Sequence, residues 1–398
     1  NGKGDFYYEP PSGFLALCTD NLSTPEIKLP GENFTTHLFT GNDTASNAQS
    51  VGFQPDLVLL KETDGTAFWA VFDSVRGRAS GISTNDSMVA STSPAGDDFA
   101  SFDSNGFTVG EVDSWNSTNK SSAAIGSWSW KAGGAPTADN SAGVGAVPTA
   151  GSVKIDGANL GSALAGSIAA TRLSANTTSG FSIIEYTGTG SAATIAHGLS
   201  ETPELWIVKN LDQDDNWMVG TTTSAAPATG SMELNNNAAW GSDSSVWNSS
   251  DPTSSVINLG TYTSPSSEAL ICYAFHSIPG YSKVGFYAGN EENNTVLGTF
   301  IHTGFTPAFV LFKNIDSAGG SGHQIARWMQ YDNKRSGYNG YVGNVNTNNL
   351  WLNETSTQAT TGGHRLDLLS NGFKQWADGR SQNDVGYNYI YYAVAAYP

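Results

Sequence analysis

Residues 304–314 read GFTPAFVLFKN, and two earlier stretches follow the same pattern: GFQPDLVLLK at 52–61 and TPELWIVKN at 202–210. In each stretch, one residue after a proline, four apolar residues run up to a lysine. Proline lacks an N–H and fixes φ, so it suits the start of a strand. An unbroken apolar run is typical of a strand that is buried on both faces. Each stretch therefore predicts the central strand of a folding unit, with the lysine placed where the strand leaves the core.

Other elements recur in the same order around each central strand. A strand with Trp69, Trp217 or Trp328 follows it, SNGF occurs at both 104–107 and 370–373, and an aromatic-rich strand closes each unit. Asn-Gly between apolar positions predicts a hairpin turn, and a period of about 100 residues suits a β-sandwich better than a solenoid repeat. We therefore predict an all-β fold of three tandem β-sandwich modules. The predicted division is a short N-terminal segment at 1–36, module 1 at 37–134, a Gly/Ala/Ser-rich linker with a possible strand pair at 135–180, module 2 at 181–280 and module 3 at 281–398.

The closing strands give two finer expectations. In module 1 the stretch AAIGSWSWK at 123–131 alternates small or polar residues with apolar ones, which predicts a strand with one face in water. In module 2 Cys272 lies inside the apolar run LICYAF at 270–275, so its thiol is expected to be buried like a small apolar side chain.

Composition and charge exclude several classes of protein. Charged residues make up only 14% of the 398 residues and the formal net charge is −18, so a phosphate backbone would be repelled and nucleic acid is not an expected partner. The sequence contains no apolar run of membrane-spanning length and no signal-peptide segment, so we expect no membrane insertion. Two cysteines are too few for a disulfide scaffold. The chain begins with asparagine, from which we expect that upstream sequence is missing.

The residue types that carry catalysis or bind metals form no recognisable motif. The six histidines lack metal-ligand spacing, and no G-x-S-x-G sequence is present. Grouped carboxylates occur in polar loops, where solvated side chains are expected: Asp97/Asp98, Asp212/Asp214/Asp215 and Glu291/Glu292. They leave a glycosidase open as an alternative. The group at 212–215 also leaves a cation such as Ca²⁺ open, although a solvated turn is favoured. We predict no catalytic residues, no metal and no cofactor.

Aromatic side chains give the best functional lead in the sequence. The recurring Trp69, Trp217 and Trp328 are best explained by core packing. Four other tryptophans lie among Ser, Asn and Asp in predicted loops, where an aromatic face beside polar acceptors could hold a sugar ring: Trp115, Trp240, Trp247 and Trp351. We take these four as candidate ligand contacts. The alternative is that they plug the ends of the sandwiches or form contacts between chains.

These motifs together resemble a repeat module of virion proteins from tailed bacteriophages, especially marine ones. The resemblance rests on YTGTG at 186–190, the three proline-led strands, SNGF and the Trp- or Tyr-rich closing strands. In that family the module commonly follows a SPRY-type domain, and FYYEPPSGFLALCT at 6–19 is similar to the junction after it. Module 2 departs from the pattern with SVINL at 255–259 in place of Asn-Gly-Phe. Module 3 lacks a clean copy of DSVRG at 73–77.

The resemblance implies a structural or adhesion protein rather than an enzyme. It implies a place on the virion surface, in a tail fibre or another appendage that presents loops to a host-surface glycan or protein. The implied partners are other virion proteins and further copies of the same chain in a homo-oligomer. One alternative is a capsid or tail decoration protein with a purely architectural role. A glycan-degrading tailspike is a third, less favoured alternative.

Overall fold

The computed structural model describes residues 25–92, 97–113, 115–290, 298–317, 326–335, 348–359, 365–376 and 381–397. These residues form strands β1–β28 and two helices of four residues each. The predicted all-β fold of several sandwich modules is confirmed. The junction-like stretch at 6–19 lies outside the described residues, as do Glu291, Glu292, His323 and His364.

Module 1 is a sandwich of two antiparallel sheets. Its elements are β1 (Phe34–Thr40), β2 (Asn47–Ser50), β3 (Leu57–Glu62), β4 (Ala70–Asp73), β5 (Ser80–Gly81), β6 (Ser91–Thr92), β7 (Phe99–Asp103), β8 (Gly106–Val109), α1 (Asn116–Asn119) and β9 (Ala124–Trp130). One sheet, which we call the inner sheet, has the order β1-β9-β3-β4, and the outer sheet has the order β2-β8-β7. β7 and β8 form the hairpin that Asn105-Gly106 predicts.

Module 2 follows the same plan, with an inner sheet that extends into the preceding segment. Its elements are β13 (Phe181–Thr187), β14 (Ala193–Ala196), β15 (Leu205–Asn210), β16 (Met218–Thr221), β17 (Gly230–Glu233), β18 (Gly241–Ser242), α2 (Ser244–Trp247), β19 (Val256–Leu259) and β20 (Ala269–Phe275). Within the predicted linker, β10 (Val153–Ile155), β11 (Ala158–Asn159) and β12 (Arg172–Asn176) join the inner sheet. The sheet order is β11-β10-β12-β13-β20-β15-β16-β17-β18, and β14 pairs with β19 in the outer layer. Three short segments of the predicted linker are thus part of this sheet, although its small residues look like a flexible connection.

Module 3 repeats the arrangement at the end of the chain. Its elements are β21 (Ser282–Ala288), β22 (Phe300–His302), β23 (Thr306–Asn314), β24 (Met329–Asp332), β25 (Leu350–Trp351), β26 (Leu366–Leu369), β27 (Gly372–Gln375) and β28 (Asn388–Tyr397). The inner sheet has the order β21-β28-β23-β24-β25 and the outer sheet the order β22-β27-β26. The central strands β3, β15 and β23 therefore occupy like positions, each between a closing strand and a Trp-led strand.

The three modules are joined by one apolar core. Along β3 the side chains alternate: Val58 and Leu60 pack inside module 1, whereas Leu57 and Leu59 face a core shared by all three modules. β15 and β23 alternate in the same way. The shared core is formed by equivalent side chains of the three inner sheets, among them Leu59, Ile207, Leu311, Trp69, Trp217, Trp328, Trp128, Tyr273 and Tyr392. The three modules of this single chain are thus arranged like the subunits of a trimer, and they are not independent domains in a row.

Both faces of β9, the closing strand of module 1, are buried, which corrects the prediction of one face in water. Ser127 and Ser129 are fully buried, and only Ala124 at the start of the strand is exposed. The two serines lie on the same face as Ile125, which packs inside module 1, whereas Trp128 and Trp130 on the other face pack in the shared core. Cys272, in the equivalent strand of module 2, is buried as predicted.

The contacts between modules, which we call seams, form a closed ring. Equivalent backbone N–H groups donate across the three seams at 3.2, 2.8 and 2.9 Å: Ala90 to Leu211 O, Trp240 to Ile315 O and Gln358 to Thr63 O. These bonds join module 1 to module 2, module 2 to module 3 and module 3 back to module 1. Because the same positions are used each time, the chain has approximate threefold symmetry.

The lysine at the end of each central strand lies in this ring and not at an exit from the core. Lys61, Lys209 and Lys313 are all fully buried, which corrects the sequence prediction. Lys61 Nζ donates to Thr355 O of module 3 at 3.2 Å, and Lys209 Nζ donates to Ser87 O of module 1 at 3.0 Å. Backbone carbonyls satisfy the buried ammonium groups. Lys61 and Lys209 therefore each join one module to another, whereas Lys313 Nζ donates to Ala326 O of its own module at 2.7 Å.

Candidate functional site

Two of the four candidate tryptophans are buried inside their own modules. Trp115 is 6% exposed and packs in the core of module 1, and Trp247 is fully buried in module 2. Trp247 meets Trp206 edge-on, with ring centroids 5.4 Å apart. Neither indole offers a face to a sugar, so the sequence-based assignment of these two residues was wrong. Trp247 ends helix α2 and Trp115 directly precedes helix α1, so the polar neighbours that suggested loops gave no information about burial.

The other two candidates, Trp240 and Trp351, lie at seams and are partly buried. Trp240 packs against the shared core, and its Nε1 donates to Pro227 O at 3.2 Å. The guanidinium of Arg327 lies 4.5 Å from the ring centroid of Trp351, whose carbonyl oxygen accepts Trp69 Nε1 at 2.9 Å. Both residues therefore support contacts between modules within the chain, which is close to the alternative role considered for them.

The candidate carboxylates act as separate hydrogen-bond acceptors and not as paired groups. Asp98 is buried rather than solvated, and its Oδ1 accepts the N–H groups of Asp113 and Trp115. Asp214 Oδ1 accepts the N–H of Val89, and Asp215 Oδ2 accepts from the side chain of Asn210. The described part of the chain contains no group of three or more His, Cys, Asp or Glu residues placed to hold a metal ion.

Asp212 belongs to a set of three equivalent aspartates. Each lies three residues after the buried lysine of its module and accepts a backbone N–H from the start of the closing strand. The pairs are Asp64 with Ala124 at 3.0 Å, Asp212 with Ala269 at 2.7 Å and Asp316 with Asn388 at 2.6 Å. The repetition of this bond gives Asp212 a structural role.

The described residues form two polar clefts that the sequence analysis missed. Both open at the start of a central strand, where the closing strand beside it ends. Cleft 1, in module 1, has a volume of about 450 Å³ and is lined by Asn33, Gln54, Asp56, Lys131, Asp156 and Asn176 among others. Cleft 2, in module 2, has a volume of about 480 Å³ and is lined by Glu201, Thr202, Glu204, Asp251, His276 and Ser277 among others. These volumes are typical of small-molecule sites.

The two clefts are equivalent positions of the repeat. Asp56 precedes β3 as Glu204 precedes β15, and both carboxylates accept the N–H of the second residue after the closing strand. The oxygen–nitrogen distances are 2.8 Å from Asp56 to Ala132 and 2.6 Å from Glu204 to Ser277. This acid therefore holds the chain in place where it turns away from the sheet.

The equivalent, described position of module 3 is built differently. Ala308 replaces the acid and is 8% exposed, and Ala395 is 1% exposed. β23 and β28 continue to pair through this region, with Pro307 opposite Ala395. In modules 1 and 2 the corresponding strands stop pairing before this position, at Leu57 and Leu205. The sequence showed one sign of this difference. An acid follows the proline in two copies of the repeat, whereas alanine follows it in the third.

Cleft 1 combines amide groups with both signs of charge. Asp56 is buried, and burial raises the pKa of its carboxyl group although Ser74 and two backbone N–H groups favour the charged form. The ammonium of Lys131 lies on an exposed residue at the same cleft. The side chains of Gln54 and Asn33 add donors and acceptors. This arrangement suits a neutral polar ligand such as a sugar.

Cleft 2 is richer in acceptors. Glu201, Glu204 and Asp251 line it together with hydroxyl groups, and its lining contains neither Lys nor Arg. His276 is 4% exposed; its Nδ1 lies 3.1 Å from Ser277 O, and its Nε2 has no hydrogen-bond partner among the described atoms. A ligand in this cleft would meet mainly groups that accept hydrogen bonds.

The remaining described histidines show no sign of a shared site. His197 is buried, Leu199 N–H donates to its Nδ1 at 3.1 Å, and burial lowers the pKa of its imidazole to about 4. His37 contacts the side chain of Gln49 at 3.0 Å.

Among the described helices, none has the length and apolar character needed to cross a membrane.

Comparison with protein families gave one match. Residues 29–157 and 152–398 match the model of a family described as a domain of unknown function, DUF7483. Searches of the curated proteins and of the solved structures gave no match. The family match covers most of the chain in two overlapping segments.

Proposed function

We propose a binding role for this chain, which belongs to the DUF7483 family: it is a non-enzymatic structural and adhesion protein of a bacteriophage particle. Its place is a tail fibre or another appendage at the virion surface, with other virion proteins as partners. The resemblance of its repeat motifs to virion modules supports this assignment. The closed ring of modules supports it as well, because a body braced by one shared core can carry surface sites in fixed positions.

The observation that carries the proposal is the recurrence of the polar cleft in modules 1 and 2. We assign host-surface glycan binding to these two clefts, in place of the buried loop tryptophans. Carboxylate, amide and hydroxyl groups pair well with sugar hydroxyls. Neither cleft is lined by a Phe, Tyr or Trp ring, so binding to one cleft would be weak. Many copies on one particle would raise the overall avidity.

A glycan array and a pull-down with host envelope test this proposal. The wild-type chain is expected to bind, and two pairs of changes are expected to weaken binding: Gln54→Ala with Lys131→Ala in cleft 1, and Glu201→Gln with Asp251→Asn in cleft 2. Thr306→Ala is the matched control, because Thr306 is the module 3 counterpart of Gln54. Binding that survives both pairs of changes contradicts the assignment. Release of reducing sugar from host capsule would instead favour a tailspike hydrolase.

A purely architectural role is the second candidate, and one observation favours it. Leu38 on β1 and Phe286 on β21 occupy equivalent positions and are 43% and 47% exposed. Both strands are edge strands of their inner sheets. Exposed apolar side chains on edge strands commonly mark contacts with neighbouring proteins. Neighbouring virion proteins or further copies of the chain would cover them. Electron cryomicroscopy of an intact particle tests this role, which requires both side chains to be buried between subunits.

A further inference from the structure

We propose that the shared core binds one small apolar molecule, without hydrogen-bonding groups, in a cavity where Leu59, Ile207 and Leu311 meet. This site is separate from the two clefts and does not depend on glycan binding.

The cavity lies where the three modules meet, at the approximate threefold axis of the chain. It has a volume of about 60 Å³. Its wall includes two sets of equivalent side chains from the three central strands: Leu57, Leu205 and Phe309, and Leu59, Ile207 and Leu311. None of these six residues is more than 9% exposed, so the cavity lies inside the protein. The central strands therefore direct equivalent side chains towards one axis without filling the space between them.

The wall that the described residues form around this cavity is apolar. Two lining residues that carry hydroxyl groups direct them to protein partners. Thr84 Oγ1 donates to Leu352 O, and the hydroxyl of Tyr273 donates to Asp73 Oδ2, both at 2.7 Å. Trp130 Nε1 is buried within the wall, out of reach of an occupant. A water molecule in the cavity would therefore lack the roughly three hydrogen bonds that buried waters make.

The size of the cavity favours a guest larger than water. Its volume is several times what one water molecule requires, and apolar cavities of this kind take up guests such as xenon or benzene. A guest gains dispersion contacts with the wall. Because the wall consists of side chains from all three modules, the guest binds only while the ring of modules is closed. Its binding therefore stabilises the association of the modules.

Xenon titration of the full chain, followed by NMR of the isoleucine and leucine methyl groups, tests the inference. Xenon is expected to bind at a single site per chain and to shift the methyl signals of Leu59, Ile207 and Leu311. The methyl signals of Ile184, which packs inside module 2, are the internal control and should not move.

A pair of substitutions tests whether the cavity itself holds the xenon. Ile207→Phe is expected to fill the cavity and to weaken xenon binding at least about tenfold. Leu38→Phe adds the same ring at a residue that is 43% exposed, and it should leave xenon binding unchanged. Circular dichroism checks that both variants fold. Should Ile207→Phe fail to fold, the methyl shifts of the wild-type chain still decide the question.

A comparison of benzene with phenol tests the chemistry of the guest. Phenol would bury its hydroxyl group without a partner, so we expect it to bind at least about tenfold more weakly than benzene. Phenol binding as tight as that of benzene overturns the inference. The inference also fails if xenon moves none of the three cavity methyl signals, or if a folded Ile207→Phe variant binds xenon as the wild-type chain does.

Discussion

The seam between modules 1 and 2 and the seam between modules 2 and 3 have equivalent backbones but different side chains. At the first, Arg76 Nε lies 2.6 Å from Asp73 Oδ2, and the hydroxyl of Tyr273 in module 2 donates to the same oxygen at 2.7 Å. At the second, Thr221 occupies the position of Asp73, and its hydroxyl donates to Ala226 O within its own module. Of these two seams, only the first therefore holds a buried ion pair at this position that is hydrogen-bonded to the neighbouring module.

The third seam, between modules 3 and 1, has the ion pair as well. Arg335 Nε lies 2.6 Å from Asp332 Oδ2, which accepts Trp128 Nε1 of module 1 at 3.2 Å. Module 3 thus keeps the Asp-x-x-Arg spacing of 73–76, although the sequence comparison had found no clean copy of the longer motif.

The way in which the chain connects the modules explains which seams have an ion pair. Only residues 276–281 separate the inner sheets of modules 2 and 3, whereas residues 131–152 separate those of modules 1 and 2. Modules 3 and 1 meet without a direct connection. A short connection by itself keeps two modules together. A buried ion pair adds little net stability but penalises wrong partners. The pairs therefore occur where connectivity does not select the neighbour.

The largest predicted effect comes from breaking an ion pair. Asp73→Ala leaves the guanidinium of Arg76 buried without its carboxylate, and we expect a loss of about 3–5 kcal/mol in the free energy of unfolding. Thr221→Ala, the matched change at the 2–3 seam, should cost only about 1 kcal/mol. Urea unfolding of both variants measures the difference. Similar losses would show that the two seams do not differ energetically.

The pH dependence of stability tests the buried lysines. Burial lowers the pKa of Lys313 to about 7 and the pKa of Lys61 and Lys209 to about 8, against an unfolded value of 10.5. Above these values the folded state releases protons that the unfolded chain still binds, so the free energy of unfolding should rise as the pH increases from about 7 to 9. The contribution of Lys313 is about 2 kcal/mol over this interval.

Lys313→Met should remove more of this rise than Lys61→Met. The two substitutions remove equivalent lysines with different partners. Lys61 Nζ donates to a carbonyl of module 3 at the 3–1 seam, whereas Lys313 Nζ, beside the 2–3 seam, donates to Ala326 O of its own module. Urea unfolding at several pH values measures both slopes. A slope that Lys313→Met leaves unchanged would mean that this lysine keeps an ordinary pKa.

The smallest predicted effect concerns a contact that all three seams share. Trp69, Trp217 and Trp328 each donate their Nε1 to a carbonyl of a neighbouring module, at 2.9, 3.1 and 2.8 Å. Replacing each in turn by Phe should cost about 1–2 kcal/mol, with similar losses at the three positions. Thermal unfolding measures the three variants. A much larger loss for Trp328→Phe would show that the 2–3 seam depends more on this bond because it lacks the ion pair.

The sequence predicted the modules better than their association. The three proline-led stretches located the central strands, because an apolar run buried on both faces has a clear pattern. The shared core was missed because Ser127 and Ser129 look like the solvated face of β9 and Trp128 looks like its core face. In the structure the two serines lie with Ile125 on the face inside module 1, and Trp128 faces the shared core. Lys61 likewise looks like the end of a strand. Burial by a distant part of the chain leaves no local periodicity to detect.

The candidate site was harder to predict for a related reason. Polar neighbours suggested loops around Trp115 and Trp247, where the structure has two short helices, and the burial of such a segment depends on what packs against it. The clefts arise where two strands stop pairing, as Asp56 and Glu204 show by contrast with Ala308. Such a site is a space that no side chain fills. A sequence indicates such a space only when its repeats are compared with one another.

The covalent joining of the modules frees them from strict symmetry. In an assembly of three identical chains, each substitution appears three times and every recess must change together. Here the strands stay paired at one of three equivalent positions, while differently lined clefts open at the other two. A single polypeptide can thus carry two dissimilar clefts at fixed spacing, and a substitution can alter one of them alone.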